Sequence, residues 1–484
     1  METAHAHPAP TPGRVAIPIR RLAGHADPSL HPTVVTAQHA NRAHKRLAKF
    51  IGRSVPDVQD LVSNIHRAVT NLPPGLQKRY NRDVILKLLA STKISTHLGE
   101  NAGAGASAAP VQASLTSSTS SPPNATPAVS TTPSDGFSPA DAAASVNNPL
   151  TPANAVSLTH SIGLGIEGND IGYVGDVMIG TPPRSFRMLM DSGSSDLWVG
   201  SEFCSNNGGS NCGNHTFLGP NSSSSFKLLS KTWSITYGSG HVTGELAQDI
   251  VMFGDLTLPS HMFGVAHNES NDFAADDIPL DGILGLGKKE LTTQNVATVL
   301  DSMYQSGLIQ QSIVSYKIPR LADQKNDGEI TLGGMDPAKY ASGSVVTFPN
   351  VNTQGFWEGA IGAFKVDGRD LGLVNRTGVL DTGTTLLVGP PADVKAIHAA
   401  IPGSKSSDGV DWIIPCTTTS VLSLNFGGQD WAIDARDLAF LPIDPDVPRG
   451  DCTSAISGTL PFGGETEWLV SAALPGPTRM PDVH

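Results

Sequence analysis

The sequence predicts an all-β protein of two related lobes behind a basic, partly helical head. Three observations carry this. From Val156 onward, short alternating or apolar runs such as GYVGDVMIG, SFRMLM and WSITYGSGHVTGELAQDIVMFG are punctuated by Gly, Asn-Gly and Asp-Gly turns. The 484 residues include 50 Gly and 36 Pro, which favour turns and short strands over long helices. Finally, the segment RMLMDSGSSDLWVG, Arg187 to Gly200, returns as GVLDTGTTLLVG, Gly378 to Gly389. A β region of about 330 residues exceeds one sandwich, so two β domains are expected.

Taken in order, residues 1–98 form the head. Residues 1–100 hold 14 Lys and Arg against 6 Asp and Glu, a net of +8, and 8 of the 15 His. Stretches such as TAQHANRAHKRLAKFIG and RDVILKLLAST read as helices, with breaks at Pro56 and at Pro73–Pro74. Residues 99–157 collapse to Ala, Ser, Thr, Pro, Gly and Asn, a composition that buries too little to fold, so this span reads as a flexible linker. The body, 151–484, is acidic, with 18 Lys and Arg against 36 Asp and Glu. A basic head on an acidic body suits self-docking. Its few aromatics and lack of a compact Lys/Arg block argue against nucleic acid or membrane as partner. The lobes are expected at 158–330 and 331–484, with few helices, chiefly NVATVLDSMYQSG and ADVKAIHAAI.

The duplicated segment carries the chemistry. Met188-Leu189-Met190-Asp191-Ser192-Gly193-Ser194 aligns with Val379-Leu380-Asp381-Thr382-Gly383-Thr384, and each runs into a second apolar strand, Leu197-Trp198-Val199 or Leu386-Leu387-Val388. An acid at the end of a buried strand is costly unless paired, hydrogen-bonded or neutralised. The glycine permits a tight turn, and the neighbouring hydroxyls of Ser192, Ser194, Thr382 and Thr384 can donate to the carboxylate and orient it. Two such loops meeting at a pseudo-twofold put Asp191 and Asp381 side by side, where like charges share one proton. One carboxylate then deprotonates a water while its protonated partner polarises a carbonyl. No metal and no cofactor is called for.

The four cysteines fit no zinc spacing. Bridges Cys204–Cys212 and Cys416–Cys452 are the economical reading, four scattered thiols the alternative. Five Asn-x-Ser/Thr triplets begin at Asn124, Asn214, Asn221, Asn268 and Asn375. No apolar run reaches the length of a membrane span, and the first residues lack a signal-peptide pattern. Secretion, or delivery to a vacuole, is nevertheless expected, with the signal missing from the sequence as given.

With these residues in view, the chain resembles the pepsin-like aspartic peptidases in their fungal secreted style. The resemblance covers about 156–470 and includes IGYVGDVMIGTPPRSFRMLMDSGSSDLWV, ITYGSGHVTGELAQD, DGILGLG, DGEITLGGMDPAKYASG and FWEGAIGAFKVDG. It implies a bilobal pepsin-like fold with a cleft, a monomer acting on polypeptides, and Asp191 and Asp381 as the catalytic pair. Tyr237, Gly238 and Ser239 would form the tip of a flap over the substrate, with Trp198 supporting Tyr237. The cysteines match the two bridges commonest in the family, and the head resembles an inhibitory propeptide. Ser239 lies where some fungal relatives carry an Asp for basic P1 side chains, which favours apolar P1 residues here. A basic head would place Lys or Arg near the two aspartates at neutral pH. Acid would then charge its histidines and neutralise body carboxylates, with autocleavage at 100–158 below about pH 5.

Two motifs are set aside. GLGIEG, Gly163 to Gly168, precedes a strand rather than a helix and so is no dinucleotide site. His5 and His7 are polar sequence rather than a metal site. The end of the chain departs from the family. Lobe one backs its aspartate loop with Ile283-Leu284-Gly285; the counterpart, Trp468-Leu469-Val470, is followed by Ser471 where Gly belongs. Val470-Ser471 can be encoded GTGAGT, a splice-donor sequence, so a retained intron is expected. With it come missing final strands, an Asp381 loop without its backing, and an unstable or inactive chain, or one that binds polypeptides without cutting them.

Overall fold

The computed structural model describes residues 31–50, 63–65, 67–69, 137–147, 149–206, 211–237, 240–276, 278–458 and 466–471. The expected helix RDVILKLLAST, the Asn124 triplet, His5, His7, Gly238 and Ser239 lie outside them.

Lobe one is built on a nine-stranded sheet and lobe two on an eight-stranded one. Each repeats the same central motif. In lobe one, the strand Arg184–Asp191 runs parallel to Gly282–Gly285, which runs antiparallel to Leu197–Asn206. In lobe two, Arg376–Asp381 runs parallel to Glu467–Ser471, which crosses antiparallel to Leu387–Gly389. Both aspartates therefore end a strand buried on both faces, which is why their sequences read as continuous apolar runs rather than alternations. A three-stranded sheet joins Val314–Lys317 and Glu329–Leu332, at the end of lobe one, to Ser161–Gly163 near its start. The boundary expected at residue 330 falls inside its strand Glu329–Leu332. The expected helices are Val299–Gln305, capped by the Thr298 side chain, and Pro391–Ala400.

Two expectations are corrected. The Asp381 loop does have its backing strand. Glu467–Ser471 pairs with Arg376–Asp381 in a register that sets Ser471 beside Asp381, as Gly285 lies beside Asp191. Trp468, Leu469 and Val470 are fully buried. Glycine is required at 285, where a Cβ would lie 2.5 Å from the Asp196 nitrogen, yet Ser471 still takes the paired extended position. The linker expectation also fails at its C-terminal end. Residues Pro139–Asn147 form a helix, and Leu150–Thr151 pairs with Gly165–Glu167. Composition concealed this because the anchoring takes few apolar groups, chiefly Phe137 and Ala144, while Phe137 N–H donates to Pro448 O.

The head contributes one long helix, α1 (Pro32–Phe50). It is buried on nearly every side, with Val34, Val35, Ala37, His39, Ala40, Ala43, His44, Arg46 and Leu47 all inside. Its Val35, Ala40, Ala43 and Leu47 join a core cluster with Phe356, Val379, Leu386, Phe440 and Leu469 of lobe two, and Ile171 and Leu291 of lobe one pack against it. A helix buried on nearly every side, polar groups included, needs walls on every side. The interlobe cleft supplies them.

Candidate active site

Each aspartate is held by its own loop in the same way. Asp191 Oδ1 accepts the Gly193 N–H at 3.0 Å, and Oδ2 accepts the Ser194 hydroxyl at 2.6 Å. Asp381 Oδ1 accepts the Gly383 N–H at 2.8 Å, and Oδ2 accepts the Thr384 hydroxyl. Both carboxylates are fully buried. Each glycine faces the opposite aspartate: the side chain nearest to a Cβ built on Gly193 is that of Asp381, and a Cβ on Gly383 would collide with Asp191 and Arg46. The loops thus meet with no room for a side chain between them.

Ser192 and Thr382, expected to orient the carboxylates, do something else. Ser192 Oγ donates to Leu380 O at 3.0 Å and accepts Thr382 N–H at 2.8 Å. Thr382 Oγ1 donates to Met190 O and accepts Ser192 N–H, both at 2.6 Å. Each hydroxyl reaches across the pseudo-twofold, because it points away from its own carboxylate and into the other loop. Four buried bonds lock the two turns together, and the sequence expectation is corrected accordingly.

On the other side, Trp198 Nε1 donates to the Tyr237 hydroxyl at 2.8 Å, and Phe273 packs edge-on against both rings. Burial pushes the Tyr237 hydroxyl well above its usual range, with Asp196 and Asp191 adding to the effect. Tyr237 N–H donates to Gly240 O at the end of the hairpin formed by Lys227–Thr236 and His241–Phe253. Both expected disulfides are present, Cys204–Cys212 and Cys416–Cys452, which excludes the free-thiol alternative. Cys204, Cys212 and Glu269 cluster closely, but bridged sulfurs offer a metal no thiolate.

Sequence reasoning did not single out Arg46. Its Nη1 lies 2.9 Å from Asp381 Oδ2 and 3.1 Å from Oδ1, and its Nη2 lies 2.8 Å from Asp191 Oδ2. One guanidinium therefore bridges both carboxylates. Burial by itself lowers the Arg46 pKa, but Asp191 and Asp381 outweigh it and raise it. Burial pushes Asp381 up to about 6, with Arg46 pulling it down and Asp191 pushing it up again. Further along α1, His39 bonds the Thr385 hydroxyl at 2.9 Å, and His44 Nε2 lies 2.9 Å from Gly458 O. The head's sequence holds Arg42, Lys45, Arg46 and Lys49 within two helical turns. Only the helix phase set by docking selects among them.

The comparisons agree with this geometry. The family model described as eukaryotic aspartyl protease matches residues 172–470. The protein named "Probable aspartic-type endopeptidase CTSD" of Trichophyton verrucosum is 32% identical over 325 residues, covering 67% of this chain and 61% of that relative. The aspartic-type endopeptidase ctsD of Aspergillus fumigatus is 29% identical over 67% of this chain and 64% of its own length. Pepsin F of the rabbit Oryctolagus cuniculus is 34% identical over 55% of this chain and 67% of its own. The chain spans less than two thirds of these two fungal relatives' length. Two mirrored aspartate turns on a duplicated β motif, together with a family model matching well over half the chain, place this protein in the eukaryotic aspartyl protease family.

Proposed function

We propose that the protein is an aspartic endopeptidase made as a zymogen, hydrolysing peptide bonds at acid pH through Asp191 and Asp381. The mirrored, cross-braced carboxylates carry this reading. With Arg46 gone, two carboxyls in a buried site hold one proton between them. The ionised member takes a proton from water as its oxygen attacks the scissile carbonyl carbon. The protonated member donates to the carbonyl oxygen, giving a neutral gem-diol. Collapse of that intermediate, with a proton passed to the leaving nitrogen, breaks the C–N bond and returns the pair to its starting state. Trp198 fixes Tyr237 at the turn end of the hairpin that closes over the substrate.

Residues 1–98 act as the propeptide. Arg46 seated between the carboxylates denies that space to water and substrate, and α1 fills the apolar cleft around Phe356 and Leu291. The two disulfides suit an oxidising compartment, so secretion or vacuolar delivery follows. Exposed Asn214 and Asn375 are then open to glycosylation. Among the described residues no helix is long and apolar enough to cross a membrane.

The test is cleavage of a denatured protein after acid activation. Asp191→Asn removes the proton-sharing pair and should lower kcat by at least about 10³-fold without unfolding the chain. The pair must hold one proton, so activity should also fall as pH rises past about 6, the Asp381 value with Arg46 in place; release of Arg46 moves that limit upward. Undiminished cleavage by Asp191→Asn removes the assignment, and tight substrate binding without cleavage in the native chain would make it a binding protein.

A further inference from the structure

The zymogen reading, on which this inference rests, leaves one buried group without a role. His44 is 4% exposed, two residues before Arg46 on α1. A carbonyl only accepts, so the bond to Gly458 O fixes the proton on Nε2 and leaves Nδ1 as a bare lone pair. Nδ1 is buried and has no hydrogen-bond partner among the described residues. A proton added there creates a cation with nothing to receive it.

The surroundings make that cation costlier. The helical stretch that includes residues 67–69 presents Arg67, whose Nε lies 3.0 Å from Asp408 Oδ2. Behind it lies Asp411, bonded by the Ser457 hydroxyl at 3.3 Å. The strand Ile456–Gly458 offers His44 a carbonyl and no charge. On α1 itself Lys45 is drawn towards Asp272, and Arg46 is committed to the dyad. Asn64 ties the two head segments together, donating to Asn41 Oδ1 at 2.7 Å and accepting from Arg67. His44 and Arg67 thus form one side of a latch on lobe two, apart from the bridge at the dyad, and among the described residues the cation acting on the imidazole, Arg67, repels its charged form.

We propose that His44 is the acid trigger of the propeptide: protonation of its orphaned Nδ1 drives α1 off the lobe-two strand and so withdraws Arg46 from the dyad. Arg46 carries its charge across the whole acid range, so it cannot itself sense pH. His44 can. Burial, then repulsion by Arg67, outweigh the Gly458 carbonyl and hold the ring at about 4, against 6.5 ordinarily. The docked state therefore binds the proton less well than the released state. Docking is at full strength above about 6.5 and weakens as pH falls through about 4. Between pH 7 and pH 4 this one group shifts the docked-to-released ratio by on the order of 10²-fold. Burial and Asp408 push the neighbouring Asp411 up to about 6, while Arg67 pulls it down.

The experiment is hydrogen–deuterium exchange of the 32–50 amides in the full-length protein from pH 7 to pH 3, corrected for intrinsic rates. His44→Gln keeps a donor for Gly458 O but does not titrate. It should retain α1 protection to a pH lower by about one unit or more than the native chain. A release midpoint unchanged by His44→Gln overturns the trigger. Absence of α1 protection at pH 7 in the native chain overturns instead the zymogen reading beneath it. Should His44→Gln fail to dock at all, the imidazole resonances of His44 in the native chain decide. Proton uptake coincident with loss of protection supports the proposal, and a ring still neutral when α1 has left refutes it.

Discussion

At the scale of single residues, the two acids behave as their sequence context says they should, and the cation between them does not announce itself. An Asp closing an apolar strand and followed by Ser/Thr-Gly-Ser/Thr is legible because a buried carboxylate must be hydrogen-bonded, and the loop supplies the donors. Arg46 is illegible by the same logic, since its partners lie 145 and 335 residues away. Removing it should make the latch fail early. Arg46→Gln leaves two buried carboxyls facing a neutral amide, which costs about 3–5 kcal/mol of propeptide docking at neutral pH. The expected outcome is an onset of self-processing at a higher pH than in the native chain, seen as the appearance of the shortened body on gels across a pH series. Arg46→Gln and His44→Gln should therefore move activation in opposite directions; a shift of the same sign in both would mean that the two contacts do not belong to separate latches.

At the scale of elements, the matched strand–turn–strand frames and the hairpin between them are legible because period and turn chemistry are local. The crossed Ser192–Thr382 bonds are not, since the same hydroxyls could as well have faced their own carboxylates. Nor was the pairing of Glu467–Ser471 legible. The missing glycine suggested a lost support, but strand pairing is decided by the buried Trp468, Leu469 and Val470 rather than by the residue that follows them. The cross-bonds make a test of the element. Thr382→Ala leaves Met190 O and Ser192 N–H buried and unpaired, costing roughly 2–4 kcal/mol at about 1–3 per orphaned group. Thr382→Ser restores both bonds. Thermal unfolding should show a lowered midpoint for the alanine variant and near-native behaviour for the serine variant. Equal losses in both would mean that the methyl packing, not the hydroxyl, holds the turns.

At the scale of the whole molecule, two lobes that must present two carboxylates to one water need a fixed separation. Besides the cross-braced turns, an ion network among the described residues joins them. Arg320, just beyond the strand Val314–Lys317, grips Asp437 of lobe two in a fork, Nε to Oδ1 at 3.1 Å and Nη2 to Oδ2 at 2.7 Å. It also lies 3.5 Å from Asp434, which Arg436 holds from the other side. Arg320 is 7% exposed, so removing it strands carboxylates in a poorly hydrated seam. Arg320→Gln should destabilise the body by about 3–5 kcal/mol near pH 5. The sign with pH follows from Asp434. Burial would raise its pKa, but Arg436 and Arg320 outweigh burial and hold it below the ordinary carboxylate value. A depressed carboxylate stabilises the fold fully above about pH 4 and loses that contribution as pH falls through its folded value. The clamp thus stays closed over the range in which His44 releases the propeptide, and opens only in stronger acid. Unfolding midpoints of native and Arg320→Gln bodies should differ most at pH 5–6 and converge towards pH 2. A gap that persists undiminished at pH 2 would show that Arg320 holds the lobes by packing rather than by charge.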